Sequence, residues 1–155
     1  RRRMREANEF LAQERPGGRL ALKDALASHL SGLRRPGKGI LISDLLFPLA
    51  EFQAGVNLLR AAKLDVLILH TLGPRELDPP AAGIERLTDA ESGDESDVRF
   101  DERARSIYLE NLRRHRRELR SFCHRAGVQY AFYDTSTDLE DFVLTELPAL
   151  GLLRE

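Results

Sequence analysis

Three apolar runs separated by amphipathic segments set the pattern of this 155-residue chain. The runs cover residues 39–45, 64–71 and 128–133 and are rich in aliphatic and aromatic residues, which is typical of strands buried on both faces. Between the first two runs, apolar residues recur at helical spacing over residues 49–62. Strand, helix and strand within about 30 residues form a βαβ unit, so we expect two parallel strands.

Four further segments show helical or hairpin patterns. Two amphipathic helices are predicted before the first strand, over residues 4–11 and 22–33, with Pro16-Gly17-Gly18 as a breaker between them. A long helix is predicted from Asp101 to Gly127, and a final helix over residues 138–147. The segment at about 84–100 is interpreted as a small β-hairpin insertion.

These elements predict an α/β fold, a Rossmann-like parallel sheet of three main strands flanked by helices. Such a sheet leaves the first strand, with its isoleucines and leucines, as an exposed edge. We therefore expect residues 1–155 to be the carboxyl-terminal half to two-thirds of one larger domain, or that edge to be covered by another chain.

Composition indicates a soluble globular protein, with 42% hydrophobic residues, 32% charged residues and a formal net charge of −1. No apolar run approaches the roughly 20 residues that a membrane-spanning helix needs, and no signal-peptide pattern occurs, so we expect a cytoplasmic protein. The single cysteine, Cys123, excludes an internal disulfide and is interpreted as a core residue.

Candidate chemistry lies where the three strands end, at Asp44, His70 and Asp134, which together define the carboxyl-end rim. Ligands of open α/β sheets bind at this edge. Asp44 is the one carboxylate in an apolar run that stops at Pro48, so it is the leading candidate for binding a metal or a partner. Its neighbour Ser43 and Asp134 are secondary candidates. Asp44 could equally cap the following helix.

Catalytic signatures are missing from the sequence. It contains no Gly-x-Ser-x-Gly elbow, no Walker A lysine loop and no Gly-x-Gly-x-x-Gly turn, so we expect a non-enzymatic protein. The competing hypothesis is a metal-dependent phosphoester hydrolase in which Asp44 and Asp134 are paired carboxylates on one ion.

We interpret the arginines of the long helix and the four histidines as structural residues before considering a function for them. The long helix carries a basic face interleaved with glutamates, which is typical of a solvated surface, with an acidic partner or a nucleic acid as further options: Arg113, Arg114, Arg116, Arg117 and Arg120. With a net charge of −1, nucleic-acid binding is not expected. The four histidines are scattered without metal-ligand spacing, and only His70 lies on the carboxyl-end rim.

An ordered set of motifs resembles the bacterial domain-of-unknown-function family 58. The motifs are GILISDLLFP at residues 39–48, LDVLILH at 64–70, PRELDPP at 74–80, DAESGD at 89–94, FCHRAGV at 122–128 and DTSTDLED at 134–141. That family is similar to von Willebrand factor A domains. The resemblance implies a protein-binding domain with a metal-ion-dependent adhesion site, often found beside MoxR-type AAA+ ATPases that act in complex assembly or metal insertion.

In such domains three loops hold one Mg²⁺ through an Asp-x-Ser-x-Ser motif, a threonine and an aspartate, and a partner carboxylate completes the octahedron. The resemblance implies that Asp44 is that aspartate. The second loop would fall at residues 16–20, where the sequence offers Arg19 and Leu20 and no threonine, and the first would precede Arg1. We therefore expect an incomplete adhesion site in this chain.

Overall fold

The computed structural model describes residues 2–13, 21–33, 36–81, 83–88 and 95–149. The Pro16-Gly17-Gly18 breaker and the DAESGD motif at 89–94 lie outside the described residues. No helix among the described residues is long and apolar enough to cross a membrane.

Helices and strands alternate as predicted. The described helices are α1 (Arg2–Gln13), α2 (Leu22–Leu30), α3 (Leu49–Ala61), α4 (Pro74–Leu77), α5 (Glu102–Ala126), α6 (Leu139–Asp141) and α7 (Leu147–Ala149), with a π-helical turn at Phe142–Glu146 between the last two. The strands are β1 (Gly37–Ser43), β2 (Leu64–Leu72), β3 (Gly83–Thr88), β4 (Glu95–Phe100) and β5 (Gln129–Asp134).

The main sheet is three-stranded and parallel, in the order β1-β2-β5. Its register aligns Ser43 with His70 and His70 with Phe132, so the three strands end close to one level. Strands β3 and β4 form a separate antiparallel pair. The predicted α/β fold, the parallel βαβ unit and the hairpin are therefore confirmed.

Helices α3 and α5 cover one face of the sheet, where they build the larger core. Buried residues of this core are Leu45, Phe52, Val56, Leu59, Val66, Ile68, Leu119, Cys123 and Val128. On the opposite face, Phe142 of the π-helical turn packs against Leu67 and Ala131. Cys123 is fully buried, as expected, and burial raises the pKa of its thiol to about 12.

Both ends of α5 follow from local chemistry. The Asp101 side chain accepts a hydrogen bond from the backbone N–H of Ala104 at 2.8 Å and so caps the first turn. Gly127 ends the helix in the left-handed conformation at φ 64°, which glycine adopts without a side-chain clash. This helix positions His115 and the arginines beside the strand ends.

Several predicted boundaries were wrong by one to three residues, and the predicted final helix is not continuous. Strand β1 begins at Gly37, because Gly37 and Lys38 pair with Leu64 and Asp65, and it ends at Ser43. Strand β5 extends to Asp134, which pairs with Leu72. The final helix is interrupted, because its middle residues adopt the wider π-helical hydrogen bonding.

The predicted exposed edge is present at β1. Ile40 and Ile42 are 57% and 63% exposed on the sheet face that α3 and α5 leave uncovered. In a three-stranded order only β2 has a neighbour on both sides, so β1 and β5 each present a free backbone edge among the described strands.

Candidate functional site

Asp44 leaves the sheet in a tight turn over residues 43–46, which we call the Asp44 turn. The Ser43 hydroxyl oxygen accepts a hydrogen bond from the Leu45 backbone N–H at 3.1 Å. The Asp44 Oδ1 atom accepts from the Leu46 backbone N–H at 3.2 Å and from the Ser43 hydroxyl at 3.4 Å. Asp44 is solvent-exposed, so its carboxylate remains available to a ligand.

Leu45 gives this turn an unusual backbone. Its φ is 53°, in the left-handed region, although its side chain is fully buried in the larger core. A non-glycine residue in this region costs of order 1 kcal/mol or more and persists only where the surrounding structure holds it. Backbone strain of this kind is concentrated at binding and catalytic sites.

His115 of α5 hydrogen-bonds the backbone of the Asp44 turn. Its Nε2 lies 2.8 Å from the Leu45 backbone oxygen, and because a carbonyl only accepts, Nε2 carries the proton and donates. The Leu45 N–H and carbonyl are thus both bound by side chains, that of Ser43 and that of His115. His115 is a positioning residue for Asp44.

His70 lies beneath the rim and not on it, which corrects its expected placement at the surface. Its side chain is fully buried, with Nδ1 2.7 Å from the Tyr130 hydroxyl and its ring edge-to-face with Phe132 at 5.4 Å. Burial lowers the pKa of His70 from 6.5 to about 4, and the Asp44 backbone acts in the opposite direction. Nε2 makes no hydrogen bond of standard geometry to the described residues.

Asp134 is held by a turn of its own. Its Oδ1 accepts hydrogen bonds from the Ser136 backbone N–H at 2.9 Å and from the Ser136 hydroxyl at 2.7 Å. These two bonds lower the pKa of the Asp134 carboxyl. Asp44 follows β1 and Asp134 ends β5. Because β2 lies between these two outer strands, the lateral separation is about two strand spacings, or roughly 9.6 Å. Each carboxylate accepts hydrogen bonds within its own turn, and no hydrogen bond joins the two side chains.

Of the three loops in the magnesium site that the resemblance implies, the described residues include one, at Asp44. Within the described ranges, no group of three or more histidine, cysteine, aspartate or glutamate side chains could hold a metal ion. Asp44 alone occupies an expected ligand position, and residues 16–20 lie outside the described ranges.

An apolar groove of about 290 Å³ opens beside Asp44, and we call it the rim groove. The residues that follow Asp44 form one wall and α5 forms the other: Leu46, Phe47, Pro48, Leu49, Tyr108, Asn111, Leu112 and His115. Leu46 is 50% exposed at its mouth. An apolar side chain could enter this groove while a neighbouring N–H donor meets the Asp44 carboxylate, a combination typical of protein recognition.

Sequence reasoning singled out Asp44 and Ser43 and did not anticipate the left-handed backbone of Leu45 or the contact from His115. His115 carried a usable signal, since a polar residue on the apolar stripe of α5 needs a hydrogen-bond partner when it packs. Leu45 carried none, because its residue type does not indicate a left-handed backbone.

Comparison with known proteins identifies a family over the first three quarters of the chain, and the motifs at 122–128 and 134–141 lie beyond the matched residues. A family model described as "Protein of unknown function DUF58" matches residues 1–118. "Uncharacterized protein MAV169" of Mycobacterium avium is 28% identical over 127 residues, which are 79% of this chain and 74% of that protein. No solved structure matches the chain.

Proposed function

This chain belongs to the DUF58 family of proteins of unknown function, and from that premise we propose that it is a non-enzymatic protein-binding domain of the von Willebrand A type. Binding takes place at the carboxyl-end rim, where Asp44 contacts the partner directly. Ser43 shapes the Asp44 turn, and the rim groove receives an apolar side chain of the partner.

One observation carries this proposal, the strained Asp44 turn. The fold holds a buried leucine at φ 53°, fixes its N–H through Ser43 and its carbonyl through His115, and so presents an exposed carboxylate beside the rim groove. Glycine or asparagine would relax this backbone but would remove a fully buried leucine from the larger core, so the strain and the core contact are retained together. Retained strain of this kind favours a binding role for the residue that it presents.

The partner class follows from the family resemblance. We propose that the domain serves a MoxR-type AAA+ ATPase in complex assembly or metal insertion, and this step rests on analogy to the family. An exposed carboxylate beside an apolar groove would bind a partner segment in which an arginine, a lysine or a backbone N–H donor lies next to an apolar side chain.

The test is binding of the purified full chain to a purified MoxR-type ATPase, with Asp44→Asn compared against Asp65→Asn. Asp65 is a matched control, because it is an exposed aspartate at the opposite end of the sheet, 3.0 Å from Lys38. We expect Asp44→Asn to raise the Kd about ten-fold or more, as loss of a charge-assisted contact does, and Asp65→Asn to leave it unchanged.

Two results would count against the proposal. Equal affinity of Asp44→Asn and wild type would remove Asp44 from the interface. Loss of binding on addition of EDTA, restored by MgCl₂, would replace the direct contact by a metal-mediated one.

A further inference from the structure

A second surface, separate from the rim groove, is lined by arginines of α5. A cleft of about 280 Å³ lies between this helix and β5, and we call it the arginine cleft. Its lining residues are Arg113, Arg116, Arg117, Arg120, Tyr130 and Phe132. Four positive charges around a small cleft attract a negatively charged ligand.

The charges in the cleft are only partly neutralised. Glu110 lies 4.0 Å from Arg113 and 3.5 Å from Arg117 at one end. Arg116 and Arg120 form no ion pair with the described residues. The Arg116 guanidinium instead lies 3.6 Å from the centroid of the Phe132 ring, which holds this side chain in place at the cleft wall.

The cleft borders a free sheet edge. Strand β5 is outermost in the sheet, and among the described strands only β2 pairs with it. On the other face of β5, Phe142, Val143 and Leu147 pack against the sheet, so this edge lies between the arginines and an apolar layer. A free edge of this kind can accept an added strand, with main-chain hydrogen bonds giving affinity and side-chain contacts giving specificity.

The spacing of the arginines matches that of an added strand. Arg116 and Arg120 are separated by one helical turn, about 6 Å along α5. Alternate residues of a strand point to the same face about 6.6 Å apart. We propose that the arginine cleft and the free edge of β5 bind an extended acidic segment of another protein, whose alternate aspartates or glutamates pair with Arg116 and Arg120.

The same surface is less suited to a nucleic acid. The Phe132 ring is already stacked beneath Arg116, and the Tyr130 ring is partly buried against the larger core, so neither is an open platform for a base. Glu110 places negative charge at one end of the cleft. A nucleic acid would also leave the backbone edge of β5 unused.

The probe is a fluorescein-labelled peptide of alternating aspartate and valine, about eight residues long, so that its carboxylates share one face. Fluorescence anisotropy measures its Kd for the full chain, for the double variant Arg116→Gln/Arg120→Gln and for the double variant Arg114→Gln/Arg125→Gln. The second variant is the matched control, because it removes the same charge from the same helix at residues that line another surface hollow.

We expect Arg116→Gln/Arg120→Gln to raise the Kd about ten-fold or more and the control to change it less than about two-fold. A probe peptide methylated at alternate backbone nitrogens should bind the wild-type chain more weakly by a similar factor, because the methyl groups prevent strand pairing without changing the charge of the peptide. This comparison does not depend on the folding of any variant. It also leaves the Asp44 turn untouched, so failure here and failure of rim binding are distinguishable.

Three outcomes with the acidic peptide would overturn this inference, and a fourth concerns a nucleic acid. The first is absence of peptide binding by the wild-type chain, and the second is an equal loss of affinity in the two double variants. The third is unchanged affinity for the methylated peptide. Tighter binding of oligodeoxythymidine than of the acidic peptide, with steep salt dependence, would likewise overturn it and assign the cleft to nucleic acid.

Discussion

Replacement of His115 by alanine tests whether the Asp44 turn is held from α5. The variant removes the 2.8 Å hydrogen bond to the Leu45 carbonyl while the buried Leu45 side chain stays in the core. A net hydrogen bond contributes about 1 kcal/mol, and an acceptor left unsatisfied away from water costs about 1–3 kcal/mol. We therefore expect the free energy of unfolding to fall by about 1–3 kcal/mol.

The assay is urea unfolding followed by circular dichroism, with His124→Ala as the control. His124 is exposed near the end of the same helix, so its replacement is expected to change the free energy of unfolding by about 0.5 kcal/mol or less. Partner binding should weaken in His115→Ala and not in His124→Ala. Equal stability of the two variants would refute the role given to His115, since the turn would then hold without it.

Three further predictions concern single groups. The pKa of His70 is about 4 in the native chain and 6.5 when unfolded, so between these values the unfolded chain binds more protons. The stabilisation from neutral His70 is therefore fully present above about pH 6.5, and the free energy of unfolding falls by up to about 3 kcal/mol as the pH drops towards 4. Urea midpoints compared across pH should show that this pH dependence is lost in His70→Phe. Gly127→Ala should lower the free energy of unfolding by about 1 kcal/mol in the same assay, because its φ is 64°; an unchanged value would contradict the left-handed cap. The buried Cys123 thiol, with a pKa of about 12, should react with a thiol reagent only after unfolding, and rapid labelling of the native chain would contradict its placement.

The fold was largely predictable from the sequence. Apolar runs long enough for buried strands, amphipathic segments between them and residues such as Asp101 and Gly127 at the helix ends all point to the same α/β arrangement. Boundaries were predicted less well. The first strand starts at Gly37 because pairing with β2 stabilises a glycine-containing segment that resembles a breaker in isolation.

The candidate site was predictable only in part. Asp44 follows a strand that the pattern identifies, so its position at the rim could be predicted. The left-handed backbone of Leu45 arises from tertiary contacts with His115 and the core, and the sequence near Leu45 gives no sign of them. The burial of His70 depends on Tyr130 and Phe132, some 60 residues away along the chain.

Amide hydrogen exchange of the full chain, with and without a purified MoxR-type ATPase, tests the central claim most directly. The account predicts slowed exchange at residues 44–49, which include the Leu46 N–H bound by Asp44 and one wall of the rim groove. It predicts no change within the buried strand at residues 66–68. Complex formation with unchanged exchange at residues 44–49 would contradict the proposal that the partner binds at the Asp44 turn.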